Sequence, residues 1–211
     1  PDVRMARGSV PLLVAAFQQP MIGIVVPKIL NPDGAIFRSL RREPTLARAL
    51  GLTRTNVPAL SEYVSEKAAY EFAHATDWAL GAVMLVSRST HEALGGWDES
   101  FFLYSEETDL CLRARDRGRT TWYEPRSEAV HIGGQSGQSS AIHAMQIINR
   151  VRLYRRRHGS VASFVYYLLA VSSELSWVLR GSARSRAAIS ALLRPSRRPV
   201  QLGSANRFIP T

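Results

Sequence analysis

The sequence contains only one cysteine, and its last third contains almost no acidic side chains. Both features narrow the possible functions. One cysteine among 211 residues cannot form an internal disulfide, so a disulfide-stabilised secreted domain is excluded and a reducing, cytoplasmic location is expected. Cys111 lies between two leucines of a predicted helix, which favours a buried, inert thiol over a nucleophile. No second cluster of ligating residues suggests a zinc site.

The shortage of acids also locates the net charge of +10. Residues 1–145 contain 15 Lys and Arg against 16 Asp and Glu, whereas residues 146–211 contain 12 Arg against one acid, Glu174. The positive excess therefore belongs to the C-terminal segment. A hydrophobic content of 45% and a charged content of 21% are ordinary for a globular protein, so global disorder is not expected.

The most informative stretch runs from Trp97 to Gly134. It places an aromatic run directly before a group of carboxylates: Phe101, Phe102, Tyr104, Glu106, Glu107 and Asp109. Ser105 is predicted to cap a helix that ends at Gly118, with acids in its first turn and arginines near its end. This order of charges complements the helix dipole, so a purely structural role for the acids stays open.

The aromatic residues favour a second interpretation of these carboxylates. Stabilisation of a helix dipole suits solvated acids, whereas apolar rings beside a carboxylate would line a cleft and make it a better proton acceptor. Farther along, a solitary His131 ends a strand-like segment just before two glycines. The stretch therefore has the outline of a catalytic site.

Four further patterns predict local structure. Ser9 to Gln19 reads as a helix, and the continuous apolar run from Met21 to Pro27 is typical of a strand that is buried on both faces. The run Asn31-Pro32-Asp33-Gly34 predicts the turn of a hairpin. After the central helix, Thr120 to Tyr123 and Ala129 to Ile132 are predicted to be two short strands around a turn at Pro125.

These residues carry a family resemblance. The run GGWDESFFLYSEETDLCLRARDRG, followed by the pattern P-x-S-x-A-V-H-I-G-G-x-S from Pro125 to Ser136, resembles the second half of inverting family-2 glycosyltransferases. The most similar branch is the bacterial rhamnosyltransferase-like enzymes, which build cell-wall and surface polysaccharides. Many matches at fixed spacing over Trp78 to Ser136 make the signal specific. The resemblance implies an α/β fold, namely a partial GT-A (nucleotide-diphospho-sugar transferase) fold with a mixed sheet, followed by C-terminal helices.

The resemblance also implies roles for individual residues. Glu107 aligns with the family's catalytic base, with Glu106 and Asp109 beside it, although the family usually has Glu-Asp where this chain has Glu-Glu. The longer side chain moves the carboxylate by about 1.5 Å, and a misplacement of about 1 Å can cost on the order of a hundredfold in rate. The substrate-binding residues implied are Trp78, Gly81, Trp97, Asp98 and Tyr104. For Trp78, stacking on a sugar and a place in the core are about equally expected.

A divalent metal, Mg or Mn, is implied as the cofactor, with Asp2 and His131 as its ligands. Residues Pro1 to Arg4 and Gly8 match the end of the family's N-P-D and V-R-x-x-x-G patterns. The chain is accordingly expected to lack the family's first nucleotide-binding strands and helices. A second N-P-D at Asn31 to Asp33 is more consistent with the hairpin turn than with a metal ligand.

The segment 139–211 is expected to form a basic, amphipathic helical tail after a catalytic part in 1–138. Its run from Val161 to Leu179 has 14 apolar residues among 19, a length that would permit a membrane span. Glu174 and a serine-rich face argue instead for a helix in the interface with anionic lipid, at the inner face of the cell membrane. A further alternative is that these helices simply pack on the catalytic domain.

The expected function is transfer of a sugar, with inversion, from a nucleotide diphospho-sugar donor to a lipid-linked or polysaccharide acceptor. The alternative is a catalytically incomplete binding module docked on a membrane. Nucleic acid is not an expected partner, because no base-reading or stacking motif accompanies the arginines.

Overall fold

The computed structural model describes residues 2–52, 55, 57–132 and 139–198. These cluster into two compact units, each assembled from three segments of the chain. The first unit comprises Pro1–Glu43, Glu62–Trp97 and Glu107–Gly134, and the second comprises Pro44–Ser61, Asp98–Glu106 and Gln135–Thr211. Positions 133–136 of the sequence motif lie outside the described residues. The predicted division into segments 1–138 and 139–211 stays a prediction.

The first unit contains a mixed sheet. The strands of the described residues, in chain order, are β1 (Val3–Met5), β2 (Ile22–Leu30), β3 (Leu40–Arg41), β4 (His74–Thr76), β5 (Trp78–Ala79), β6 (Leu85–Val86) and β7 (Thr120–His131). β7 runs parallel to β2 and pairs on its other side with β1 and β4, both antiparallel. β6 pairs antiparallel with β2, and β3 pairs with β5 in a separate small sheet.

Helices lie in both units. The α-helices, in chain order, are α1 (Ser9–Ala16), α2 (Leu46–Ala49), α3 (Arg88–Leu94), α4 (Glu106–Asp116), α5 (Ser140–Arg157), α6 (Ser160–Val178) and α7 (Ala183–Leu193). Short 3-10 helices span Pro58–Leu60, Lys67–Tyr70 and Pro195–Arg197. The predicted class, α/β with a mixed sheet followed by C-terminal helices, is confirmed.

β2 is covered on both faces, as its continuous apolar run predicts. Ile24 and Val26 belong to a core cluster that includes Cys111 of α4. Val25 belongs to a separate cluster with Leu13 of α1. Burial raises the pKa of the Cys111 thiol to about 11, so this cysteine stays protonated at neutral pH.

The prediction of two short strands around Pro125 is wrong. β7 is one strand of 12 residues, and its pairing with β2 continues on both sides of the proline. Pro27 pairs with Glu124 and the next residue, Lys28, pairs with Glu128, so residues 125–127 bulge out of the ladder. A bulge absorbs the proline, which has no N–H to donate, without ending the strand.

The two ends of α4 differ in how well the sequence predicts them. Gly118 has a φ of 72° and its N–H bonds to the carbonyl of Arg115, as expected for a glycine that ends a helix. Ser105 has a φ of 76°, which is left-handed rather than the extended conformation typical of an N-cap residue. The start of α4 therefore departs from the capped start that the sequence predicts.

The second unit packs its helices around a separate core. α5 supplies most of this core, and α6 and α7 pack against α5. The core includes Met145, Ile148, Val151, Tyr154, Tyr166, Ala188 and Leu192. The rings of Tyr154 and Tyr166 stack with their centroids 3.9 Å apart. The long apolar faces of these helices are therefore partly used for packing within the unit.

Gly23 provides a test of the packing of β2. A Cβ at this position would lie 2.7 Å from Thr90 Oγ1 and 2.8 Å from Arg119 Cβ. We expect Gly23→Ala to lower the free energy of unfolding by about 1–3 kcal/mol, because an added methyl group overpacks a dense site. Thermal or urea unfolding measures the change. Gly159→Ala, where an added Cβ meets no atom within 4 Å, is the control and should lose less; equal losses would contradict the expectation.

Candidate functional site

Asp2 and His131 are brought together by the pairing of β1 with the end of β7. Val3 lies opposite His131 in the antiparallel ladder, and the N–H of Ile132 bonds to the carbonyl of Asp2 at 2.7 Å. This register places His131 Nε2 3.2 Å from Asp2 Oδ2. The side chains are 24% and 54% exposed, so the pair is accessible to a ligand from solvent. The imidazole also packs against the ring of Phe37, with the centroids 5.5 Å apart.

The pair offers one carboxylate and one imidazole to a metal. No group of three or more His, Cys, Asp or Glu side chains suited to a metal occurs among the residues that the structure describes. Two protein ligands suit an ion whose remaining positions are filled by phosphate oxygens and water, so the donor set fits the predicted use. Asp33 instead accepts a hydrogen bond from the N–H of Ala35 at 3.0 Å, which supports the turn interpretation of the second N-P-D.

Glu107 lies in the first turn of α4 and is 7% exposed. Gly81, which follows β5, approaches it closely: a Cβ built on Gly81 would lie 3.5 Å from Glu107 Cβ. A Cβ at position 81 would therefore be in ordinary van der Waals contact with the stem of the Glu107 side chain. The structure thus brings together Glu107 and Gly81, a predicted base and a predicted substrate-binding residue.

The two predicted tryptophans have different surroundings. Trp78 is 8% exposed, belongs to the core of the first unit, and donates its indole N–H to the carbonyl of Arg42 at 2.9 Å. These contacts match the core role that the sequence leaves open for Trp78. Trp97 is 42% exposed, so its ring remains available for stacking on a sugar.

Asp109 is buried and acts through an arginine. Its Oδ2 accepts a hydrogen bond of 2.6 Å from Arg113 Nε, one turn farther along α4. Arg113 also donates to the carbonyls of Leu94 and Gly96, at 2.8 and 3.0 Å. Asp109 thereby orients a guanidinium that ties α4 to the turn before Trp97.

The other predicted site residues, Asp98, Tyr104 and Glu106, belong to the second unit. Tyr104 and Ser105 have φ values of 67° and 76°, so two consecutive non-glycine residues are left-handed directly before α4. This conformation costs each residue about 1 kcal/mol or more. Such strain persists only where the surrounding structure holds it in place.

Asn149 and Arg152 of α5 hold this strained segment. The Asn149 amide, which is completely buried, donates to the carbonyls of Leu103 and Tyr104 at 2.8 and 3.2 Å. Arg152 Nη1 donates to Asn149 Oδ1 at 2.8 Å and to the carbonyl of Ser100 at 3.1 Å. The two side chains therefore satisfy three carbonyls of the segment that leads into α4.

Arg156 extends the same face of α5 to Asp98. Its guanidinium forms an ion pair with Asp98 and donates to Ser100 Oγ at 2.8 Å. It also lies over the ring of Phe101, 4.5 Å from the centroid. Partial burial opposes the charge of Asp98, but hydrogen bonds from Ser100 and the nearby Arg156 outweigh it, so the pKa of this carboxyl falls below its ordinary value.

The sequence interpretation missed this role of α5. The sequence predicts only a basic, amphipathic tail here, whereas Asn149, Arg152 and Arg156 follow a spacing of three and four residues and face the segment 98–104. The one sequence signal is Asn149, which follows two isoleucines, because an amide inside an apolar helix face needs hydrogen-bond partners.

One known protein resembles this chain over nearly its whole length, and another over about half of it. N-acetylglucosaminyl-diphospho-decaprenol L-rhamnosyltransferase of Mycobacterium tuberculosis is 32% identical over 209 residues, which cover 94% of this chain and 64% of that protein. Rhamnosyltransferase WbbL of Escherichia coli K12 is 31% identical over 106 residues, 48% of this chain and 37% of its own length. The relationship predicted from the sequence, to rhamnosyltransferase-like glycosyltransferases, is confirmed. No family model matches the chain.

This chain matches only part of the length of each known protein. The chain spans 64% of the length of the mycobacterial relative. Among solved structures, GalNAc-T7 with UDP, GalNAc and Mn2+ matches with a TM-score of 0.49 and 16% identity, covering 72% of this chain and 29% of that protein.

The contacts of Asn149 predict a local effect of its removal. We expect Asn149→Ala to lower the free energy of unfolding by about 2 kcal/mol, because two partly buried carbonyls lose their donor. Amide hydrogen exchange should also accelerate in residues 98–105, where the strained conformation loses its support. Gln146→Ala, at a partly exposed position of the same helix, should leave both measurements nearly unchanged. Unaltered exchange in Asn149→Ala would show that the segment is held by other contacts.

Proposed function

We propose that this chain, a relative of the rhamnosyltransferase-like glycosyltransferases of family 2, carries the acceptor side of an inverting sugar transferase. The donor is a nucleotide diphospho-sugar, and the acceptor is a lipid-linked or polysaccharide hydroxyl in cell-wall or surface polysaccharide synthesis. The observation that carries the proposal is the position of Glu107, a buried carboxylate at the start of a helix with Gly81 close to the stem of its side chain.

Glu107 is the proposed general base. It would remove the proton from the acceptor hydroxyl as that oxygen attacks the anomeric carbon from the face opposite the nucleotide. Its backbone is part of a regular helix whose core residues, such as Leu110 and Cys111, are completely buried, so the carboxylate is attached to a rigid element. Trp97, exposed and shortly before this helix in the sequence, is proposed to stack on the acceptor sugar.

Asp2 and His131 are proposed to hold a divalent Mg or Mn, which when bound neutralises the departing diphosphate. Their contact of 3.2 Å and their exposure support the assignment. The imidazole is oriented by the β1–β7 pairing and by the ring of Phe37, so its nitrogen points at the carboxylate before any ligand arrives.

The protein is further proposed to act at the inner face of the cell membrane. By length and composition, one helix of the described chain, α6, is apolar enough to cross a membrane, which is weak evidence by itself. Four of its exposed apolar side chains follow helical spacing on one face, namely Val161, Phe164, Leu168 and Leu175, and Leu179 directly after the helix continues the spacing. On another face Glu174 pairs with His143 of α5 at 2.9 Å. A helix held by its neighbours on one face and apolar on the other suits the membrane surface.

The catalytic assignment predicts a contrast between two substitutions of Glu107. In the full-length protein, Glu107→Gln should reduce sugar transfer by about 10²-fold or more, because the amide cannot accept the proton. Glu107→Asp, which restores the residue usual in the family, should retain transfer. A panel of nucleotide sugars with Mg or Mn present measures the rates.

Binding of the nucleotide sugar is the control, since Glu107→Gln should leave it unchanged. Retained transfer in Glu107→Gln would refute the base assignment. An unaltered full-length protein that binds donor but transfers no sugar to any acceptor would favour the alternative, a binding module without catalysis.

The metal assignment predicts a direct binding defect. Asp2→Asn and His131→Gln should each weaken binding of Mn²⁺ to the full-length protein in the presence of a nucleoside diphosphate, by about tenfold or more, because each removes one of few protein ligands. Electron paramagnetic resonance of free Mn²⁺ measures the binding. His91→Gln, at an exposed position of α3, is the control; an equal loss there would contradict the assignment.

A further inference from the structure

The three long helices of the second unit line an open cavity that the proposed sugar transfer does not use. Its volume is about 290 Å³, near the lower end of the range for small-molecule sites. Its walls come from different helices, Val151 from α5, Phe164 and Tyr167 from α6, and Leu192 from α7. The hydroxyl of Tyr167 lies 3.4 Å from the carbonyl of Leu192, which links two of these walls.

Two arginines complete the lining of this cavity. Arg155 lies one turn after Val151 on α5, and Arg198 follows the short 3-10 helix at the end of the described chain. No acidic side chain lines the cavity among the described residues. The lining therefore carries two guanidinium groups and no carboxylate.

A cavity with apolar walls and two cationic side chains favours a particular class of ligand. A free phosphate gains nothing from the rings of Phe164 and Tyr167, and a neutral hydrocarbon gains nothing from the guanidinium groups. A molecule with an alkyl chain and a phosphate uses both, since arginine binds phosphate oxygens through well-directed donors. Burial lowers the pKa of Arg198, but a guanidinium stays charged at neutral pH.

The cavity is continuous with the exposed apolar face of α6. Phe164 lines the cavity and also belongs to that face, where it is 62% exposed. Leu193, at the cavity and 59% exposed, extends the same apolar surface. A lipid in a membrane that meets this face would have a short path for its chain into the cavity.

We propose that the cavity binds one anionic phospholipid of the membrane surface, with an alkyl chain against Phe164 and Tyr167 and the phosphate at Arg155 and Arg198. The inference rests on the proposed membrane association of α6 and adds to it a specific lipid site. It predicts that membrane binding depends on two particular arginines rather than on the total positive charge.

Calorimetry with soluble probes tests the site without a membrane. Dodecyl phosphate, below its micelle concentration, should bind at least tenfold more tightly than inorganic phosphate or dodecyl maltoside. The double substitution Arg155→Gln with Arg198→Gln should weaken dodecyl phosphate about tenfold or more, while the corresponding double substitution to Lys should retain most of the affinity. Circular dichroism confirms that each variant is folded.

The matched control changes two other arginines close in sequence. Arg194→Gln with Arg197→Gln removes the same charge from exposed positions outside the cavity lining and should change affinity less than twofold. Flotation with phosphatidylglycerol vesicles should show the same order of effects, and phosphatidylcholine vesicles should bind less. Equal losses in the two double variants would overturn the proposal in favour of general charge attraction. Inorganic phosphate binding as tightly as dodecyl phosphate would overturn it in favour of a free-anion site, and dodecyl maltoside doing so would indicate apolar binding only.

Failure of this site and failure of the proposed sugar transfer are separable. The calorimetry uses no donor or acceptor, so its result does not depend on catalysis. Conversely, Glu107→Gln should bind dodecyl phosphate as the unaltered protein does, because Glu107 belongs to the other unit.

Discussion

The first unit depends on the backbone pairing of β7. This strand bonds to β2 along most of its length, to β4 near its beginning and to β1 at its end. Its 12 residues thus fix the register of three neighbouring strands, and β6 joins through β2. Because β1 is only three residues long, its position is set by β7 rather than by its own packing. The contact between Asp2 and His131 is therefore a product of sheet pairing between residues far apart in sequence.

The second unit depends on a different kind of constraint, the hydrogen bonds that hold a strained backbone. Tyr104 and Ser105 adopt a conformation that side chains disfavour, and Asn149 and Arg152 satisfy the carbonyls around them. Buried amide and guanidinium groups are costly to desolvate, and they remain favourable here because each one finds several acceptors. Strain of this type commonly lies beside functional residues, and here it directly precedes the carboxylates at the start of α4.

Much of the fold could be predicted from local patterns. The continuous apolar run of β2, the turn at Asn31 to Gly34 and the glycine that ends α4 each have a short-range physical cause that the sequence displays. The bulge in β7 could not be predicted, because a proline between two apolar segments looks the same whether it ends a strand or is absorbed by one. The conformation of Ser105 was also hidden, since a serine before acidic residues normally predicts an extended cap.

The candidate site, like the fold, could be predicted from the sequence only in part. Family resemblance, not spacing, pointed to Asp2 and His131 as neighbours, because 129 residues separate them and no local rule relates them. The hydrogen bonds of Asn149 to Leu103 and Tyr104 cross 46 and 45 residues, and the sequence indicates only that this amide needs partners, not which carbonyls accept its bonds. Contacts of this length are decided by how whole helices pack, which single-residue preferences do not encode.

Burial of the one cysteine gives the protein a practical property. The Cys111 sulfur is fully buried and its thiolate form is suppressed, so maleimide reagents will not react with it while the chain is folded. A cysteine introduced at any solvent-facing position would then be the sole reactive handle. Fluorophores or spin probes could be attached at single chosen points without first removing the native thiol.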